Sequence, residues 1–136
     1  MILDTDILSA IVSPDCPAAV TEGLRAVPGP IYTTAVNWAE ICYGLARHPS
    51  GSRLRERYRR LILPALEILD FDATCAEFYG PLRSELEARG ERLAEADLMV
   101  ASIALRHRLP LASGNVRHFR RVPGLKLENW LAGGPD

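Results

Sequence analysis

The chain has 136 residues, 48% of them hydrophobic and 24% charged, with a formal net charge of -1 at pH 7. Those values suit one globular domain over residues 1–136 that buries a core without disulfides or structural metal, and they exclude a disordered chain, which is poorer in apolar groups and richer in net charge. They neither demand nor exclude a polyanionic partner, so local patches have to decide that question.

Cys16, Cys42 and Cys75 are odd in number, far apart and without a C-x-x-C pair, which argues against a disulfide framework and against a zinc site. No stretch has the apolar length of a membrane span, and Asp4 falls where a signal peptide needs a basic and then an apolar region. The expectation is a cytoplasmic protein without a membrane partner.

Residues 1–3 form an apolar run that predicts a short strand ending at Asp4, and Ile7, Leu8, Ile11 and Val12 then recur at helical spacing. A second helix is predicted over 18–27 and is stopped by Pro28-Gly29-Pro30. Residues 31–33 are β-rich, and Thr34 can cap a helix running to about Arg47. Residues 52–63 read as a helix with a heavily charged face, 66–69 as a strand, and Asp72 as the cap of a helix reaching Arg89-Gly90. Gly80-Pro81 predicts a kink or break inside that helix, because proline lacks the amide donor and clashes with the preceding turn. A strong helix is predicted over 94–108, a strand over 109–112, a turn at Ser113-Gly114-Asn115, one helical turn over 116–120 and a last edge strand over 125–127.

Strands separated by single helices or helix pairs imply parallel pairing through crossovers, hence a three-layer α/β/α sandwich around a mostly parallel sheet. Ligands of such sheets bind beyond the carboxyl ends of the strands, where Asp4 and Ser113-Gly114-Asn115 both fall.

Three acids stand out. Asp4 follows a strand that should be buried, and a carboxylate there is costly unless something pairs with it; alternatively Asp4 or Asp6 caps the first helix. Glu40 is the one acid between Thr34 and His48, on a helix too apolar to read as a solvent face, although a solvated helical Glu is the ordinary reading. Asp97 either complements the dipole at the start of its helix or belongs to the small-residue face it shares with Ala101 and Ala104. Three acids from three elements suit a hard cation, since Mg²⁺ and Mn²⁺ prefer oxygen ligands and keep part of their water.

The chain resembles the PIN-domain ribonucleases, specifically the VapC-type toxins of bacterial toxin–antitoxin pairs. The likeness lies in Met-Ile-Leu-Asp-Thr-Asp-Ile-Leu-Ser (1–9), Val-Asn-Trp-Ala-Glu-Ile-Cys-Tyr-Gly-Leu (36–45) and Ala-Glu-Ala-Asp-Leu-Met-Val-Ala-Ser-Ile-Ala (94–104). The tail from Ser113 through Phe119, with Val122-Pro123-Gly124-Leu125 and Glu128-Asn129-Trp130, is similar to the family's closing segment. The resemblance implies a PIN-like sandwich whose acidic pocket, made by Asp4, Glu40 and Asp97, binds Mg²⁺ or Mn²⁺ and hydrolyses RNA, inhibiting translation. It implies as partners a cognate antitoxin and a second copy of the chain, assembling into a hetero-oligomer. A fourth acid is common in the family where this chain has Asn115, which puts a second metal ion in question.

Thr5 and Asp6 match positions that support the first acid in the family, and Ser113 one often filled by a hydroxyl. Asp6 either adds charge that offsets the loss at Asn115 or only caps the helix; Ser113 either bonds to an acid or a phosphate or is a plain turn residue. Arg106, Arg108, Arg117, Arg120 and Arg121 are expected around the carboxyl-edge turn, where clustered arginine neutralises phosphates. Arg53, Arg55, Arg57, Arg59 and Arg60, which cover one helix, read as a solvated face, a second RNA contact or a contact for an acidic partner.

Two other readings fit parts of the sequence. Asp4-Thr5-Asp6 after an apolar strand is similar to the nucleophile and acid of haloacid-dehalogenase-like phosphatases, but those need a downstream lysine with an acidic cluster, and the one lysine is Lys126. A non-catalytic PIN-like module that binds RNA or a partner is the other, kept open by Asn115.

Overall fold

The computed structural model describes residues 1–132; residues 133–136, the end of the expected domain, lie outside the described residues. In chain order the elements are β1 (Ile2–Leu3), α1 (Thr5–Val12), α2 (Ala18–Ala26), β2 (Tyr32–Thr34), α3 (Ala35–Arg47), α4 (Gly51–Leu61), a 3₁₀ turn (Leu63–Ala65), β3 (Glu67–Leu69), α5 (Ala73–Ala88), α6 (Glu95–His107), β4 (Leu111–Ala112), α7 (Val116–Phe119) and β5 (Leu127–Glu128). The strands form one sheet in the order β3-β2-β1-β4-β5, and every pairing in it is parallel.

Side chains alternate across a strand, so β1 and β4 each serve both faces of the sheet. Ile2 and Leu111 join Leu82, Leu86, Val100, Ile103 and Phe119 under α5, α6 and α7. Leu3 and Ala112 join Ile7, Leu8, Ile41, Leu45 and Tyr58 under α1, α3 and α4. This is the expected three-layer sandwich, with β1 and β4 buried on both sides at its centre. Trp130 closes the second core against Gly23, where an added Cβ would lie 2.5 Å from the indole.

Two elements differ from the sequence expectation. Of the kink or break expected at Gly80-Pro81, the break is absent, since α5 runs through Pro81. Both Pro81 and Glu77, whose carbonyl loses its helical donor, are exposed, so water can take up the freed acceptor. The last strand is Leu127–Glu128 rather than 125–127, because Leu127 and Glu128 are the residues in register with Leu111 and Ala112.

The strand order fixes where a site can form. From β1 the chain moves to β2 and β3 on one side, then crosses to β4 and β5 on the other, so the sheet reverses its winding between β1 and β4. Crevices open at such a switch point, beyond the carboxyl ends of the strands.

Candidate active site

Asp4 leaves the carboxyl end of β1 at the switch point, 8% exposed, and serves as N-cap of α1. Its Oδ1 accepts from the Thr5 amide at 2.9 Å and from Asn37 Nδ2 at 2.7 Å, while its Oδ2 accepts from Ser113 Oγ at 2.6 Å. The last bond spans the crevice from β1 to the carboxyl end of β4. Both sequence readings of Asp4 therefore hold at once, since it caps the helix and is a buried, fully hydrogen-bonded carboxylate.

Asn37 was not singled out in the sequence, yet it organises one wall of the site. It is fully buried; Thr34, the cap of α3, donates to its Oδ1 at 2.7 Å, and its Nδ2 also donates to Thr5 Oγ1 at 3.0 Å. The Thr5 hydroxyl in turn donates to Glu40 Oε2 at 3.0 Å. One chain of hydrogen bonds thus runs from Thr34 through Asn37 to Asp4, and through Thr5 to Glu40. A single signal in the sequence pointed to it: an asparagine between Val36 and Trp38 on an otherwise apolar helix turn.

Glu40 is exposed as a residue, and so are Ala39, Tyr43, Gly44 and Ala46, so this face of α3 is solvent-facing despite its apolar composition. Its carboxyl leans back over Thr5. Partial burial pushes that carboxyl above its ordinary range; the Thr5 hydrogen bond pulls it down, and the charges of Asp4 and Asp97 push it up.

Asp97 lies in the first turn of α6, 22% exposed. Burial pushes its carboxyl up, the charge of Asp4 adds to that, His118 pulls it down and Asp6 pushes it up again. His118 Nδ1 stands 3.9 Å from Asp97 Oδ2.

Asp6 does not cap α1. Its Oδ2 crosses the crevice to accept from the Gly114 amide at 2.9 Å, and a Cβ at Gly114 would come within 2.8 Å of that oxygen. Its Oδ1 is buried with no hydrogen-bond partner. Burial first, and then the Asp4 charge, push the Asp6 carboxyl up. Ser113, also fully buried, bonds to Asp4 and accepts from the Asn115 amide at 2.9 Å, so its hydroxyl does more than shape a turn. Asn115 is half-buried at the start of α7, with no side-chain cap bond.

The basic residues divide. Arg117 and Arg120 are exposed on and just after α7, the segment that also presents His118, and Arg121 Nη1 donates to the Arg92 carbonyl at 3.1 Å. Arg106 and Arg108 are not brought to the carboxyl edge: they precede β4 and so stand at its amino end. Arg108, at φ 54 and ψ 40, is the left-handed cap that ends α6.

Asp4, Asp6, Glu40 and Asp97 therefore face one crevice from the end of β1, α1, α3 and α6, close enough that the charge of Asp4 helps to raise the carboxyls of the other three. Among the described residues no three His, Cys, Asp or Glu side chains already close into a cage around one point. The donor set is nonetheless all oxygen, includes the orphaned Asp6 Oδ1, and among the described residues has His118 as its one basic side-chain contact within 4.0 Å. Such a set fits a hard divalent cation that keeps several of its waters.

The comparisons with known proteins agree with this architecture. The model of the PIN domain matches residues 1–125. Ribonuclease VapC2 of Rickettsia felis is 36% identical over 107 residues, 79% of either chain. The tRNA(fMet)-specific endonuclease VapC of Shigella flexneri is 31% identical over 131 residues, 94% of this chain and 96% of that one. Among solved structures, VapBC2 from Rickettsia felis bound to a DNA fragment from its promoter superposes with a TM-score of 0.88 at 31% identity, covering 95% of this chain and 97% of that chain. Fold, crevice and sequence relationship together mean that the chain belongs to the PIN-domain family, among its VapC-type toxins.

Proposed function

We propose that this chain is a metal-dependent endoribonuclease, the toxin of a toxin–antitoxin pair, and that Asp4, Glu40 and Asp97, with Asp6 beside them, hold Mg²⁺ or Mn²⁺ at the β1/β4 crevice. The observation that supports it most is the set of four carboxylates meeting there with three of them raised by burial and by their neighbours, an arrangement that folding alone does not favour. A cation bound there supplies positive charge to an RNA phosphate and makes a water more nucleophilic.

The chain's own residues do the rest. Asn37, Ser113 and the Thr5 amide fix both Asp4 oxygens, and Thr5 Oγ1 sets the rotamer of Glu40. Asp6 Oδ1 stands in for the carboxylate that Asn115 does not provide. Arg117 and Arg120, exposed beside the crevice, meet the flanking phosphates. The reaction class is hydrolysis of a phosphodiester by water, without a covalent intermediate on the protein. The related solved structures are toxin–antitoxin complexes, which supports an antitoxin and further protomers as partners of this chain. Among the described residues no helix is long and apolar enough to cross a membrane.

The test is cleavage of RNA by the purified chain. Cutting is expected with Mn²⁺ or Mg²⁺, and none with EDTA. Cutting that persists in EDTA overturns the metal assignment; RNA binding without cutting under any of these ions returns the chain to a non-catalytic module.

A further inference from the structure

Beyond β5 the chain folds back toward the acid crevice. It turns at Asn129, whose Oδ1 accepts from the Leu131 and Ala132 amides at 3.0 Å each. Trp130, 6% exposed, anchors this turn in the core, and its Nε1 donates to Glu128 Oε2 at 2.8 Å. Leu131 is left 38% exposed, outside both hydrophobic cores, with its side chain laid on Gly114.

Two glycines receive the turn. Gly23 stands inside α2, where glycine is less stable than alanine, and it leaves room for the Trp130 indole. At Gly114 a Cβ would lie 2.6 Å from Leu131 Cδ1 and 2.8 Å from Asp6 Oδ2. Gly114 is not among the glycines with positive φ, so close approach, rather than backbone conformation, is what requires glycine there. The leucine methyl and the carboxylate oxygen thus flank one point, beside the 2.9 Å bond from the Gly114 amide to Asp6 Oδ2. Asp6 Oδ1 has no partner, so the bond at Oδ2 is what holds this carboxylate across the crevice. A hydrogen bond to a carboxylate is stronger where water is kept from competing for it.

We propose that Leu131 is a positioning residue of the crevice: anchored through Trp130 and the Asn129 turn, it shields the Asp6–Gly114 bond from water and so keeps the Asp6 carboxylate aimed for the divalent cation. This rests on the reading of the crevice as a cation site. Leu131 touches neither the cation nor the RNA. It acts through Asp6, as the groups that orient a metal's ligands do, and their loss typically weakens metal affinity 10- to 100-fold.

The experiment has two arms, both on the full chain. In EDTA, amide hydrogen exchange is followed by NMR at Gly114 and, as an internal reference, at Thr5, whose amide donates to Asp4 on the other side of the crevice. Free Mn²⁺ is then titrated by EPR. Leu131→Ala should speed exchange at Gly114 about tenfold, leave Thr5 as in the parent, and weaken Mn²⁺ binding about tenfold. Leu131→Met should restore both, because its side chain covers the same point with nearly the same volume. If the alanine variant exchanges at Gly114 and binds Mn²⁺ as the parent does, Leu131 has no positioning role and the cation site stands. Exchange that speeds up equally at Thr5 and Gly114 makes Leu131 a packing residue only and likewise overturns the role. A parent chain that holds no Mn²⁺ overturns the cation site and this role with it.

Discussion

On one side of the crevice Asp4 accepts hydrogen bonds from Thr5 N, Asn37 Nδ2 and Ser113 Oγ; on the other Asp97 has only His118 Nδ1, 3.9 Å away, as a basic neighbour among the described residues. Asp4 is built into the fold: two of its donors, Asn37 of α3 and Ser113 just after β4, are fully buried, and the third is the Thr5 amide at the start of α1. Asp97 is tolerated by the fold, partly desolvated and pushed up by the charge of Asp4. The contrast teaches that one side of the site secures geometry while the other carries unbalanced negative charge, which the proposed cation would relieve. Each half should therefore fail in its own way when altered.

The largest effect is expected for Asp97→Asn. Cleavage should fall at least about 100-fold, because an oxygen of the proposed cation site loses its charge. Thermal stability of the metal-free protein should rise, by about 1 kcal/mol or roughly 3–5 °C, because repulsion with Asp4 and Asp6 is removed. A variant that loses both activity and stability would show that Asp97 is a structural acid and would break the comparison.

Asn37→Ala tests the other half. It leaves the buried Asp4 carboxylate short of a donor and opens a hole between α3 and β1, which should cost about 3 kcal/mol, roughly 10 °C in Tm, with activity down about 10- to 100-fold. Thermal melting without metal reads this directly. Loss of activity with an unchanged Tm would mean that Asn37 acts on substrate rather than through Asp4.

What the sequence made legible follows the same division. Asp4, Glu40 and Asp97 are visible because an acid interrupting an apolar pattern stands out, and the parallel sheet follows from the alternation of strand and helix. Asn37 does not stand out, since one amide on a helix reads as ordinary surface until its burial is seen. Arg106 and Arg108 read as neighbours of the turn at Ser113, but β4 runs between them and that turn, and a strand's direction puts its two ends on opposite edges of the sheet. The apolar composition around Glu40 suggested a buried face; it marks an exposed one, because alanines and glycine replace the charges that usually identify solvent.

The smallest effect concerns pH and His118. Asp6, Glu40 and Asp97 have carboxyls raised above their ordinary values of 3.8, 4.5 and 3.8 in the folded chain. Between those values and the raised ones the folded state binds more protons than the unfolded state, so stability of the metal-free protein falls as pH rises through that window and is greatest below it. On the proposed metal site Mn²⁺ should flatten the slope, because it would bind the deprotonated acids and stabilise only the folded chain. His118 opposes the rise at Asp97, so His118→Gln should steepen the slope and shift its upper end to higher pH. The His118 side chain is about half exposed and screened by water, so the change in Tm should stay within a few degrees and vanish in high salt. Melting curves from pH 4 upward, with and without Mn²⁺, read both effects; a slope of opposite sign would mean that the acids of this crevice are already neutralised by the protein itself.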